Sequence, residues 1–533
     1  MKFPLLICSC LVFSLTNAQS KKFSFKLGEE YELPRKTEDL AFFGNDKDGI
    51  VNLSLKKEEL NIIRFDAKNL RRTAEKVIAL EKASKNFNSE EVVRMNDNYY
   101  WLHSDWDKDA EKNTLYYDKI DVATGKITDI NHKLFETGRL GGESVVMTGF
   151  YRYKLDGKYK FNYDAGEKKL LVSYRYQPEE RNDKKNYDKI GLQVFDERMN
   201  KLWSGDFTMP YTEAIMDNSD FSVDGNGNAY LLAKVYDSDA RKEKDKATGK
   251  PAYHFEVLKF SKDSKKIVHS AVAIDDYYIK QPSLIENALH DMVIACTYSK
   301  KSSTNGTDGI FLAIMDQTGK IVKYKNGYYE FPLEELTKFE SGRTKRKMEN
   351  KDDYESPDLS VRNVVVDADG SVFVACEEYR TVTSYSYDSR GRSSSYTTYF
   401  YEDILGAKIS ATGKFEWLRK IPKRQKGTMG RDAMSFTLVA DASGYYFLFL
   451  DNKKNMELAE DETPKYHVDG RGGQVVVAKL STAGVLSKEL LFDTREEDIK
   501  IYPADFSKIN GNQFIGRARI KRNLFQPLLI TVN

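Results

Sequence analysis

VRNVVVDADGSVFVACEEY (residues 361–379) and YFYEDILGAKISATGKFEWLRKI (residues 399–421) decide how this chain is read. The first is a short apolar strand, a tight turn at Asp369-Gly370 and a second strand. The second is another pair of strands joined at Thr412-Gly413. Glycine takes positive φ at no steric cost, so D-G and T-G between alternating runs mark antiparallel hairpins. Four consecutive antiparallel strands make one meander sheet, and the plan recurs along the chain. The final turns of seven such units fall near Asn69, Gly125, Asn200, Ser264, Gly319, Gly413 and Gly484. Their mean spacing is roughly 69 residues, longer than the usual propeller blade of about 40 to 45.

An eighth unit is shared between the ends. Residues 505–533 (DFSKINGNQFIGRARIKRNLFQPLLITVN) supply three strands, and FSFKLGEEYELP (residues 23–34) supplies a fourth. The expectation is an all-β chain: a single β-propeller of four-stranded antiparallel blades over residues 19–533, closed by its N- and C-terminal strands. Eight blades is the preferred count and seven the alternative, because residues 136–158 are hard to parse. A sheet built from both termini removes exposed edges, which stacked sandwiches would not explain.

The extra length has one address. Short glycine turns join the first strand to the second and the third to the fourth. Long polar segments join the second to the third: residues 105–112, 176–188, 237–252, 299–308, 380–398 and 451–472. Strands of a meander alternate in direction, so these loops share one face, together with the connection at 332–358, where a short helix is expected over residues 333–339. Binding residues concentrate on loops held by a rigid scaffold; the bland alternative is a set of solvated linkers.

Within that face the segment YRTVTSYSYDSRGRSSSYTTYFY (residues 379–401) reads as a projecting hairpin. Tyr385, Tyr387, Tyr396 and Tyr399, with Arg390 and Arg392 near the tip, are candidate protein-contact residues, since Tyr and Arg serve as interface anchors. Arg343 and Arg346, with Lys345 and Lys347, form a basic run suited to an acidic partner or lipid headgroup. Trp101, His103 and Trp106 make the densest aromatic and polar cluster and are a candidate ligand grip, although odd–even spacing sends the two tryptophans to opposite faces of a strand.

Other chemistry finds little support. There is no G-x-S-x-G elbow and no H-E-x-x-H pair, and the six histidines are scattered singly, so no catalytic residue, metal or cofactor is assigned. Asp224-Gly225-Asn226-Gly227-Asn228 and Asp367-Ala368-Asp369-Gly370 resemble fragments of calcium loops but fall where a blade needs its first turn. Cys296 and Cys376 sit in apolar runs and read as core, with a mutual disulfide left open. The formal charge of +2 arises from many charges of both signs, unlike a nucleic-acid binder.

MKFPLLICSCLVFSLTNAQS carries Lys2, an apolar stretch from Leu5 to Leu15 and small residues before Gln19, and residues 1–18 read as a secretory signal peptide. The NAQS leader end, the Lys, Asn and Tyr richness and the repeated D-x-x-G units with T-G-K hairpins resemble secreted β-propellers of the Bacteroidota. That group includes the plug subunit of the type 9 secretion translocon. The resemblance implies a periplasmic, non-enzymatic module that binds an outer-membrane or envelope protein and occludes or scaffolds a translocon channel. A secreted or outer-membrane-associated location is the alternative. The rival function is a glycan- or peptide-acting propeller that uses its central channel.

Overall fold

The computed structural model describes residues 23–80, 86–142, 144–148, 152–180, 182–262, 264–301, 306–351, 355–356, 359–387, 393–428, 434–468, 472–510 and 512–532. The leader lies outside these residues. Among them the chain forms eight four-stranded antiparallel sheets. In chain order sheet 1 comprises Glu38–Asn45, Gly49–Lys56, Glu59–Phe65 and Arg72–Ala79; sheet 2 comprises Asn88–Met95, Asn98–Asp107, Lys112–Asp121 and Lys126–Thr137. Sheet 3 is Tyr159–Tyr163, Lys169–Arg175, Tyr187–Asp196 and Lys201–Thr212; sheet 4 is Met216–Val223, Ala229–Tyr236, Tyr253–Ser261 and Ser264–Val272. Sheet 5 is Tyr278–Glu286, Met292–Ser299, Gly309–Met315 and Ile321–Glu330; sheet 6 is Leu359–Val366, Val372–Tyr387, Ser393–Ile409 and Phe415–Ile421. Sheet 7 is Thr437–Asp441, Gly444–Asp451, Gln474–Ser481 and Leu486–Asp493. Sheet 8 joins Ser507–Asn510, Gln513–Lys521 and Leu524–Val532 to the N-terminal strand Phe23–Leu27.

The terminal pairing runs in unbroken register from Phe23 opposite Val532 to Leu27 opposite Leu528. The three-plus-one sheet expected from the two ends is therefore present, and the four-stranded sheets among the described residues number eight. The segment that resisted parsing holds a separate hairpin, Ser144–Thr148 with Arg152–Asp156, between sheets 2 and 3.

Side chains alternate across a strand, so a strand buried on both faces sends odd and even residues into different neighbours. In Met292–Ser299, Met292, Ile294, Cys296 and Tyr298 pack toward sheet 4, while Val293 and Ala295 pack toward sheet 6. Eight apolar clusters result, each shared by two sheets consecutive in chain order. The eighth joins sheet 8 to sheet 1 through Ile509, Ile515 and Leu529 against Ile50, Ile63 and Phe65. Face-to-face packing of successive meanders in this way makes the sheets the blades of a β-propeller. Sheet 1 grades outward: its last strand, Arg72–Ala79, alternates exposed with half-buried residues, whereas Gly49–Lys56 is buried almost throughout.

Polar side chains also reach between innermost strands on the short-turn face. Glu286 of sheet 5 accepts from the backbone N–H of Ala165 in sheet 3 at 2.7 Å and of Gly225 in sheet 4 at 2.6 Å. Arg94 of sheet 2 donates to the Lys508 carbonyl of sheet 8 at 3.4 Å. Cys296 and Cys376 lie in different inter-sheet clusters and are free thiols, which closes the question of a bond between them.

The helix expected over residues 333–339 is one turn, α1 (Leu333–Leu336), and a second helix follows, α2 (Gly342–Glu349). The α2 run GRTKRKME has little to announce it beyond its cap, where the Ser341 hydroxyl accepts from the Thr344 N–H at 3.2 Å, and Met348, its one buried side chain.

Candidate functional face

Two-residue turns connect the second and third strands of sheets 1 and 8, Lys56 pairing with Glu59 and Lys521 with Leu524. In the six sheets between them that connection is longer. The long loops therefore occupy one face over six consecutive sheets, as strand direction requires.

Sheet 6 carries the largest departure. Its second and third strands are 16 and 17 residues long and stay paired from Val372–Ile409 out to Tyr387–Ser393. The third strand is flanked at the hairpin's root by Gln425–Gly427, in register with Tyr399 to Tyr401. The Tyr379 and Tyr401 rings meet at 5.0 Å there, and the Arg380 guanidinium stacks 3.8 Å from the Phe400 ring. Farther out, hydroxyls pair across the strands, Thr383 with Thr397 at 3.0 Å and Ser386 with Ser394 at 3.1 Å. Tyr385 is 69% exposed and Tyr396 56%. Register puts them on opposite faces of the ribbon, because Tyr385 pairs with Ser395 and Tyr396 with Ser384. Tyr399 is half-buried near the root. Tyr387 ends its strand opposite Ser393, and Arg390 and Arg392 lie outside the described residues.

The root is held by charges that the sequence did not single out. Glu377 is fully buried and accepts from Lys423 Nζ at 2.7 Å, Arg362 Nε at 2.8 Å and Ser435 Oγ at 2.7 Å. Lys423, also fully buried, donates further to the Tyr401 carbonyl at 3.1 Å and Gln425 Oε1 at 3.2 Å. Beside them Lys420 Nζ lies 2.9 Å from both Asp403 and Glu340. Burial, then Asp403, pushes the neighbouring Glu378 carboxyl up to about 8, with Lys420 opposing. A buried charge must be paired to be tolerated, and this cluster is paired throughout its centre. Its members are scattered from Glu340 to Ser435 over separate strand and loop segments. The only sequence signal was charge inside otherwise apolar strands, as in ACEEY.

The same cluster ties down the inter-sheet connection, since Lys420 Nζ also donates to the Leu336 carbonyl at 3.1 Å and the Lys420 N–H to Glu335 at 3.0 Å. Arg343, Lys345, Arg346 and Lys347 stand exposed on α2 beyond this anchor. The Arg346 Nε donates back to the Gly342 carbonyl at 3.2 Å.

The proposed aromatic grip is not assembled at the surface. Trp101 is fully buried in the cluster between sheets 1 and 2, its indole N–H bonded to Ser89 Oγ at 2.8 Å. His103 is buried too, with Nε2 3.3 Å from Asp118 and its ring stacked on Tyr116. Only Trp106, half-buried at the strand end, approaches solvent, and the Arg139 guanidinium lies 5.8 Å from its ring. Burial on both faces of a middle strand takes Trp101 and His103 out of reach of a ligand.

The turn segments are likewise occupied. Asp224 accepts from Asn228 and from the Tyr230 hydroxyl at 2.7 Å, and Asp367 from Ser371 and Lys408. Among the described residues, no three His, Cys, Asp or Glu side chains converge to hold a metal ion.

A cleft of about 580 Å³ opens between sheets 3 and 4. Arg175 there bridges Asp188 and Glu213, and Arg241 pairs with Asp217. Burial and the adjacent Asp188 hold the Glu213 carboxyl above its usual range despite Arg175.

No protein-family model matches the chain, and no curated protein matches it. Among solved structures it is similar to a quinohemoprotein alcohol dehydrogenase from Pseudomonas putida HK5, with TM-score 0.39, 10% identity, and 95% of this chain and 76% of that one covered. An uncharacterized protein from Listeria monocytogenes gives TM-score 0.37 at 9% identity over 82% and 93% of the two chains. The β-propeller domain of the trilobed protease from Pyrococcus furiosus gives 0.32 at 9% identity over 86% and 99%. At such scores the likeness has no bearing on activity or ligand.

Proposed function

We propose that this chain is a closed eight-bladed propeller that acts as a non-catalytic protein-interaction module of the cell envelope, with the hairpin of sheet 6 as its principal contact. The observation that carries the reading is a ribbon extended past its own sheet, with exposed tyrosines on both faces and a root fixed by buried ion pairs. A ribbon so anchored loses little conformational freedom on binding, and tyrosine offers large contact area at low entropic cost. The cationic α2, emerging on the same loop-bearing face, suits a partner surface with acidic groups. The leader and the resemblance to Bacteroidota propellers favour a partner in the periplasm or at the outer membrane, and occlusion or scaffolding of a translocon channel is the concrete form of the proposed role.

The test is in-cell crosslinking from a photo-reactive residue at position 386 or 395, exposed beside the two tyrosines, followed by purification of the envelope fraction. One discrete outer-membrane partner is expected at both positions, with recovery falling at least tenfold in the Tyr385→Ala/Tyr396→Ala variant, as loss of an interface anchor pair implies. Crosslinks that are diffuse, or unchanged in that variant, would refute the reading.

A further inference from the structure

The ribbon of sheet 6 has edges as well as tyrosine-bearing faces. Pairing with the first strand ends at Leu359 opposite Glu378, and among the described residues no strand pairs with residues 380–387 on that side. The other edge of the ribbon is covered at its root by Gln425–Gly427. An edge strand presents a row of unpaired N–H and C=O groups, a liability that soluble proteins guard with charge, proline, bulges or cover.

This chain guards its outer edges with charge. The last strands of sheets 1 to 7 each hold at least two charged residues, such as Glu75 and Lys76 in sheet 1, Lys323 and Glu330 in sheet 5 and Arg419 and Lys420 in sheet 6. Residues 381–387 (TVTSYSY) hold no charge and no proline, and they pair with the third strand without a bulge. They are rich in the β-branched and aromatic residues that favour strands. Val382 is 42% exposed, and alternation puts it on the opposite face of the ribbon from Tyr385. A bare, uncharged edge of this length is suited to main-chain pairing with an added strand, whose alternate side chains would pack beside Val382 on one face and Tyr385 on the other. The lack of charge also selects the occupant, since a charged strand would find no opposite charge along residues 381–387.

We propose that the edge formed by residues 381–387 binds the envelope partner by strand addition, taking an extended, uncharged segment of that protein into the place the first strand leaves open. This rests on the reading of the hairpin as the principal contact and names how the contact is made.

Cross-strand pairs separate an edge from a face. Thr383 and Thr397 lie directly opposite, so a lysine at either loads the same face but a different edge; Val382 and Thr398 do the same for the other face. Partner recovery from the native envelope fraction is measured by crosslinking from position 386. Recovery is expected to fall about tenfold in Thr383→Lys and in Val382→Lys, and to stay within about twofold of wild type in Thr397→Lys and Thr398→Lys. In the purified complex, hydrogen exchange should slow at alternate amides of residues 381–386, the ones an edge strand turns outward. Circular dichroism and hydrogen exchange of the unbound variants establish that the ribbon persists. Equal losses in Thr383→Lys and Thr397→Lys, with Val382→Lys silent, would show that one face binds and would overturn strand addition while leaving the proposed function standing. Failure to recover any discrete partner would overturn both. In sedimentation equilibrium of the mature chain alone, a dimer dispersed by Thr383→Lys and Val382→Lys would assign the edge to a second copy and overturn the proposal as well.

Discussion

Lys423→Met tests whether the root of the hairpin is held by buried charge. Lys423 is fully buried and its ammonium makes three bonds, to Glu377, the Tyr401 carbonyl and Gln425. Removing it leaves the Glu377 carboxylate, equally buried, with Arg362 and Ser435 alone. Breaking a buried pair by deleting one partner costs about 3 to 5 kcal/mol, because the remaining charge is stranded in low dielectric. Arg362 persists, so the lower end, about 3 kcal/mol, is expected. Methionine keeps the aliphatic length of lysine, which limits the packing loss. The measurement is urea unfolding followed by tryptophan fluorescence and far-UV circular dichroism together, with hydrogen exchange reporting residues 372–409. Coincident transitions establish that a single free energy applies. The protection lost should concentrate in sheet 6 and reach the outer hairpin pairs. In Lys423→Met/Glu377→Gln no full charge faces the vacancy left by lysine, and the double variant should cost less than the sum of its parts. A single-variant cost below about 1 kcal/mol, typical of exposed pairs, would refute the account of the network.

Four further outcomes follow from the same structure. Burial, then Asp403, pushes the Glu378 carboxyl up to about 8 from an ordinary value of 4.5, so the folded state holds its proton more tightly than the unfolded chain. That contribution is complete below about 4.5 and is lost as pH rises through about 8; Glu378→Gln should flatten the stability–pH curve in this window, and an unchanged slope would count against the assignment. Deleting residues 23–32 removes the strand paired with Leu528 to Val532 together with the buried Phe23 and Tyr31, and should lower the melting temperature sharply and expose a sticky edge; wild-type melting would show that sheet 8 does not need its N-terminal strand. Trp101→Ala should cost roughly 3 to 5 kcal/mol in urea unfolding, as for other buried aromatics, and a loss of ligand binding without loss of stability would restore it as a contact residue. Burial raises the Cys376 thiol to about 12 and Cys296 well above its usual value, so neither should react with a thiol reagent at pH 8 until the protein is unfolded; rapid modification of the native protein would contradict their placement.

Sheet boundaries, the three-plus-one sheet of the termini and the clustering of long loops on one face were legible in the sequence alone. The physical reason is that they rest on local rules. Glycine punctuates hairpins such as Asp369-Gly370, alternation marks strands, and strand direction fixes which connections share a face. The outward extension of residues 379–401 was legible on the same grounds, as one uninterrupted hairpin. What the sequence could not supply was the neighbour of each side chain. Trp101 and His103 looked like an exposed grip because aromatic and polar residues were dense there, yet a middle strand buries both faces, and only the packing of sheet 1 against sheet 2 shows it. Glu377, Arg362 and Lys423 were not singled out by the sequence. They become a buried network because separate strand and loop segments bring them within hydrogen-bond distance, where low dielectric makes pairing obligatory. The cleft beside Arg175 has the same origin: residues 141 to 241 contribute to it from two sheets, and no spacing along the chain encodes a surface made by two sheets meeting.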